Sequence, residues 1–124
     1  MKTDRPVDIN LLGFAWPFAA IASILHRVSG AILFLGVGFL LYVVDLALQS
    51  PAGFDSAVLA MQGFFGKLVL LGLMAALIYH MVAGIKHLLL DFHIGDSLEG
   101  AKRAAQLTVF VSFVLIGLTG MWLW

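Results

Sequence analysis

Four histidines punctuate a chain that is otherwise almost bare of ionisable groups. Two of them, His80 and His87, lie in the stretch Tyr79-His80-Met81-Val82-Ala83-Gly84-Ile85-Lys86-His87-Leu88-Leu89-Leu90-Asp91. At about 100° per residue, His80, Gly84, His87 and Asp91 fall on one stripe of a helix. An ionisable side chain inside an apolar run is costly in lipid, and this makes the stripe a candidate functional site. A neutral imidazole is a good ligand for haem iron, and Gly84 removes a side chain where a flat macrocycle would need room. The competing role for His80 is a hydrogen bond to a neighbouring helix. His80 and His87 cannot both ligate one iron, because they stand on one helix roughly 10 Å apart and axial ligands approach opposite faces of the ring. His26 is the in-chain candidate on another helix for a second ligand; otherwise that ligand comes from a partner chain. His87 and Lys86 read either as snorkelling anchors at the interface or as contacts to anionic haem propionates.

A second cluster lies upstream. Ser23, Arg27 and Gly30 share one helical stripe, with His26 beside it. A hydroxyl and a guanidinium one turn apart can grip a carbonyl oxygen, such as that of a quinone head group, on which negative charge grows during reduction. The alternative for Arg27 is snorkelling to lipid phosphates. Asp45 and Lys67 fall near the opposite interface and read as structural.

The elements that must carry these residues are membrane helices. Of 124 residues, 62% are hydrophobic and 11% charged, and the mean hydropathy is +1.06. These values are far from those of an ordinary soluble domain. The formal net charge is zero, which offers nothing for nucleic acid binding. Cysteine is absent, so disulfides, iron–sulfur ligation and thiolate metal sites are excluded. The pattern predicts an all-α membrane protein, a single domain over 1–124, with three transmembrane helices in an up-down-up bundle at about 24–48, 64–90 and 104–124.

Residues 1 to about 22, with Trp16 before Pro17, read as a short interfacial N-terminal segment. Asp4, Pro6, Asp8 and Asn10 in that segment do not suit a secretory signal. Gln49 to Gly53 reads as a turn, Phe54 to Gly63 as a weakly amphipathic surface segment, and Phe92 to Gly100 as a polar connection. Of the seven lysines and arginines, Lys2, Arg5, Arg27, Lys86, Lys102 and Arg103 fall on one side and Lys67 on the other. This places the N-terminus in the cytoplasm and the C-terminus in the periplasm of a bacterial inner membrane.

Taken together, Arg5-Pro6-Val7, the run Ala20 to Gly30 with its Ser-Ile-x-His-Arg-x-[Ser/Thr]-Gly signature, and His80-x3-Gly-Ile-Lys-His-x3-Asp91 resemble the cytochrome b membrane anchor of bacterial succinate dehydrogenase, respiratory complex II. The resemblance implies one of two small three-helix anchors that join a flavoprotein and an iron–sulfur subunit to the membrane. It implies haem b shared with the second anchor, with His80 as an axial iron ligand and the other ligand a histidine of that anchor. It places Ser23 and Arg27 at a ubiquinone site, and His26, Arg27 and His87 near the haem propionates. Lys86 stands where arginine is common, which keeps the charge and loses the bidentate fork. Val7 to Trp16 departs from the usual continuation after Arg-Pro. The alternatives are the anchor of a menaquinol:fumarate reductase, and a haem-free structural or transport subunit in which His80 is a helix contact.

Overall fold

A computed structural model describes residues 16–124. The expected interfacial segment lies outside the described residues as far as residue 15. Its last part differs from expectation: the helix α1 (Phe18–Gln49) starts at Phe18, with Pro17 as its N-cap. Proline lacks the N–H that a helix start leaves unsatisfied anyway, and its carbonyl receives the amides of Ala20 (2.9 Å) and Ile21 (3.2 Å).

Three further helices follow: α2 (Pro51–Gln62), α3 (Phe64–Asp91) and α4 (Leu98–Leu123). Helices α1, α3 and α4 are long and apolar enough to cross a membrane. The 32 residues of α1 span about 48 Å, well beyond the ~30 Å hydrocarbon layer. The three alternate in direction. The start of α1 meets the end of α3, where the His26 and His80 rings lie 4.2 Å apart. The start of α3 meets the end of α4, where the Phe64 and Trp124 rings lie 6.3 Å apart and the Lys67 ammonium sits 5.6 Å from the Trp124 ring.

The short helix α2 occupies the segment expected as a turn and a surface stretch. Ser50 caps it, its hydroxyl accepting the Gly53 amide at 3.0 Å, and Pro51 takes the first helical position. That combination starts a helix rather than a turn. Helix α4 likewise starts six residues before the expected span, at Leu98, because Ser97 caps it by accepting the Gly100 amide at 3.0 Å. Between them, α3 ends in a Schellman motif. The His93 amide reaches the Leu90 carbonyl and the Ile94 amide reaches Leu89, both at 2.9 Å, with His93 itself at φ 60.

The bundle is held by small residues. Ala22, Ser29 and Gly36 recur every seven residues along α1 and are all buried. Ala76 and Ala83 do the same on α3, and Ala105, Thr108 and Ser112 form the buried face of α4. Large apolar side chains point outward: Phe34 is 81% exposed, Phe113 79% and Trp122 84%. In hydrocarbon no solvent force drives leucine against leucine, so helices associate where small residues let backbones approach. A seven-residue repeat on the contact face favours a left-handed crossing.

Gly66 marks the tightest approach, at the corner of α2 and α3. A Cβ there would meet the Ala60 carbonyl and lie 2.6 Å from Met61 Cα, backbone atoms that cannot swing aside. Three residues earlier, a Cβ on Gly63 would meet ordinary contacts at 3.5 and 3.7 Å. Gly66→Ala is therefore expected to destabilise the solubilised protein by about 1–3 kcal/mol, read as a lowered thermal unfolding midpoint. Gly63→Ala is expected to leave the midpoint nearly unchanged, and equal midpoints for the two variants would contradict the packing described.

Candidate functional site

The α1–α3 antiparallel pairing brings three of the sequence-predicted residues together at one end of the bundle. His26 comes from the third turn of α1, and His80 and His87 from α3. The His26 ring stacks on His80 with centroids 4.2 Å apart and planes 22° from parallel. It lies 5.1 Å from the His87 ring, tilted by 38°. Two glycines make the approach feasible. A Cβ on Gly30 would fall 3.0 Å from His80 Cε1, and one on Gly84 would lie 3.7 Å from His26 Nε2. Glycine at position 30 thus lets the His80 ring press against the backbone of α1.

The polar atoms of this cluster are unevenly satisfied. His80 Nδ1 lies 3.1 Å from the Ser29 hydroxyl and 3.1 Å from the His26 carbonyl oxygen. His80 Nε2 has no hydrogen bond to any described residue, and His26 Nε2 is fully buried without a partner. Tyr79, next to His80, donates its hydroxyl to the Ala22 carbonyl at 2.8 Å and ties the same two helices one turn further along α1. His87 lies within electrostatic reach of Lys86, His26, Asp91 and Arg27.

Ser23 is half-buried and Arg27 exposed on α1. Neither has a hydrogen bond or ion pair to a described residue, so both donors are free for a ligand or for lipid. The two stand one turn apart, about 6 Å along the axis.

Lys86 differs from expectation. It is 7% exposed rather than snorkelling at the interface. It faces α4, beside the buried Thr108, and lines a cavity of about 340 Å³ with Val82, Ile85 and Ala104. No carboxylate among the described residues lies within ion-pair distance of it, Asp91 included. His93 is exposed, as expected for a loop residue, and its Nδ1 lies 3.2 Å from Asp96 Oδ2.

The arrangement discriminates between ways of holding an iron. Among the described residues no three His, Asp or Glu side chains converge as a metal site. The donors suit an iron that brings its own equatorial nitrogens, as haem does. The unbonded His80 Nε2 fits such a group, whereas the room that Gly84 leaves is taken by His26, whose Nε2 is fully buried there. His26 and His80 do not form an axial pair. Axial imidazoles point end-on at the metal from opposite faces of the macrocycle, whereas these rings are stacked too closely to admit one between them. Ser29 and Tyr79 are the functional-site residues that reading the sequence misses. Ser29 lies inside the signature but carries only a hydroxyl, and its partner is set by the register of α1 against α3.

The sequence is similar to those of known membrane proteins. Residues 1–119 match the family of succinate dehydrogenase/fumarate reductase transmembrane subunits. The chain is 34% identical to the succinate dehydrogenase cytochrome b556 subunit of Coxiella burnetii, over the full length of both. It is also 34% identical to that of Paracoccus denitrificans, over 95% of this chain and 91% of the other. The cytochrome b560 subunit of Reclinomonas americana is 24% identical over 92% of this chain and 83% of its own. A three-span helical bundle with paired histidine-bearing helices, matched along almost its whole length, belongs to the succinate dehydrogenase/fumarate reductase transmembrane subunit family.

Proposed function

We propose that this chain is the cytochrome b anchor of a bacterial succinate:ubiquinone oxidoreductase, holding haem b and building part of the site where quinone is reduced. The observation that carries the reading is the gathering of His26, His80 and His87 at one end of the bundle, with a ring nitrogen of His80 left unbonded. His80 would hold the haem iron through its unbonded Nε2. As the resemblance implies, the second ligand would be a histidine of a second small anchor chain; the His26 ring, stacked on His80, is not placed to supply it. Bound there, haem b supplies a one-electron couple. His26, Arg27 and His87 lie where a cation or an N–H donor meets carboxylates such as the propionates.

Ser23 and Arg27 hold the quinone. The serine hydroxyl and the guanidinium donate to one carbonyl oxygen, and these bonds strengthen as reduction places charge there. Electrons arrive from an iron–sulfur subunit, itself supplied by a flavoprotein that oxidises succinate; both dock on the end of the bundle that carries the histidines. That end faces the cytoplasm and Trp124 the periplasm, in keeping with six of the seven lysines and arginines. Protons for the quinol are taken from the cytoplasmic side.

His80→Ala is expected to abolish the b-type α band in reduced-minus-oxidised spectra of membranes containing the complex; an unchanged band would remove His80 from the iron. Arg27→Leu is expected to lower quinone reductase activity about tenfold to a hundredfold, the range for losing a charged hydrogen bond. Dye-linked succinate oxidation, which bypasses the quinone, should persist in that variant. Full retention of quinone reductase activity would exclude Arg27 from the site, and loss of both activities would mean failed assembly.

A further inference from the structure

The geometry points to Ser29 as the positioning residue that fixes the His80 imidazole in one tautomer and one orientation, so that Nε2 keeps its lone pair free for iron. The inference rests on the reading of His80 as a haem ligand and adds how that ligand is prepared.

Three atoms meet behind the ring. The Ser29 hydroxyl donates to the His26 carbonyl at 2.7 Å. His80 Nδ1 lies 3.1 Å from that hydroxyl oxygen and 3.1 Å from that carbonyl. A hydroxyl has one proton, and here it is engaged by the carbonyl. Both oxygens therefore present lone pairs to Nδ1. A bare Nδ1 would add a third lone pair to the same small volume, so Nδ1 carries the proton and its N–H is shared between the two acceptors. In a neutral ring the proton on Nδ1 leaves Nε2 as the electron-pair donor.

The site is closed to competing water, since Ser29 is 5% exposed. The ring also lies close against the backbone of α1 in the room that Gly30 leaves, since a Cβ there would fall 3.0 Å from Cε1. Histidines that bind metals commonly donate their other N–H to an oxygen acceptor, which fixes the ring plane and raises ligand basicity. In this chain the acceptor pair is a helix carbonyl plus the serine that bridges to it. Removing the hydroxyl takes one acceptor from the N–H and frees the ring to turn about its Cβ–Cγ bond.

The test uses the complete purified complex carrying Ser29→Ala, Ser29→Thr or His80→Ala. Its readouts are haem content, the largest g value of the ferric low-spin haem, and the haem midpoint potential. The g value follows the angle between the axial imidazole planes, and the potential follows ligand basicity. Ser29→Ala is expected to shift the g value and raise the potential. Ser29→Thr, which keeps a hydroxyl able to bond the same carbonyl, is expected to restore both. Loss of haem from the alanine variant alone would support the assignment as well. Wild-type g value and potential in a haem-replete Ser29→Ala complex would overturn it. So would a shift, or a loss of haem, common to the alanine and threonine variants. Retention of haem by His80→Ala would overturn the ligand reading itself and this inference with it, whereas haem loss there with an indifferent Ser29 would remove only the inference.

Discussion

Everything in this fold depends on how closely α1 can approach α3. The stripe of Ala22, Ser29 and Gly36 meets Tyr79, His80 and Leu73 of α3, and no side chain larger than a hydroxymethyl group stands on that stripe of α1. Only at that distance can a ring on α3 reach a main-chain carbonyl on α1, as His80 does, or a tyrosine hydroxyl close the same gap one turn along. The polar contacts in turn fix the register, because an apolar seam of alanines and glycines would slide by a turn at little cost. Packing and hydrogen bonding here are one device: small residues create the proximity, and two interhelical bonds specify it.

The same logic explains why so little of the chain is interior. A bundle that must enclose its own core needs large side chains inside. This one leaves phenylalanines, leucines and tryptophans outward and keeps its contacts for small groups. Lipid covers most of the outer face, while His26 is turned inward and stacks against His80. The exception is Lys86, whose ammonium-bearing side chain is folded in against α4 beside Thr108. Removing such a group from both water and headgroups demands compensation, and no carboxylate among the described residues lies within ion-pair distance of it.

The spans and their alternation were legible in the sequence, because hydropathy over some twenty residues is set by the membrane itself. His26, His80 and His87 stood out for the same reason, as polar groups where polar groups are expensive. Helix α2 was hidden by its own starting signal: Ser50, Pro51 and Gly53 are turn residues in one context and a helix cap in another. Gly53 is demanded by the nearness of the Leu46 carbonyl, a fact of three dimensions. The burial of Lys86 and the bond from His80 to Ser29 were illegible for a deeper reason. Both depend on how one helix is rotated and shifted against another, and a single sequence carries no direct record of that.

The length of α1 fixes where its polar residues stand against the lipid. Asp45 and Gln49 bond to each other at 3.0 Å near its far end, and polar side chains there mark the edge of the hydrocarbon. Counting back about 20 residues, the thickness of the lipid tails, brings the near edge to between Leu25 and Ser29. His26 and Arg27 therefore straddle a dielectric step, with acyl chains on one side and hydrated headgroups on the other. The first two turns of α1, Phe18 to about Ile24, then stand among headgroups rather than acyl chains, so the hydrocarbon span begins inside the helix and not at its cap.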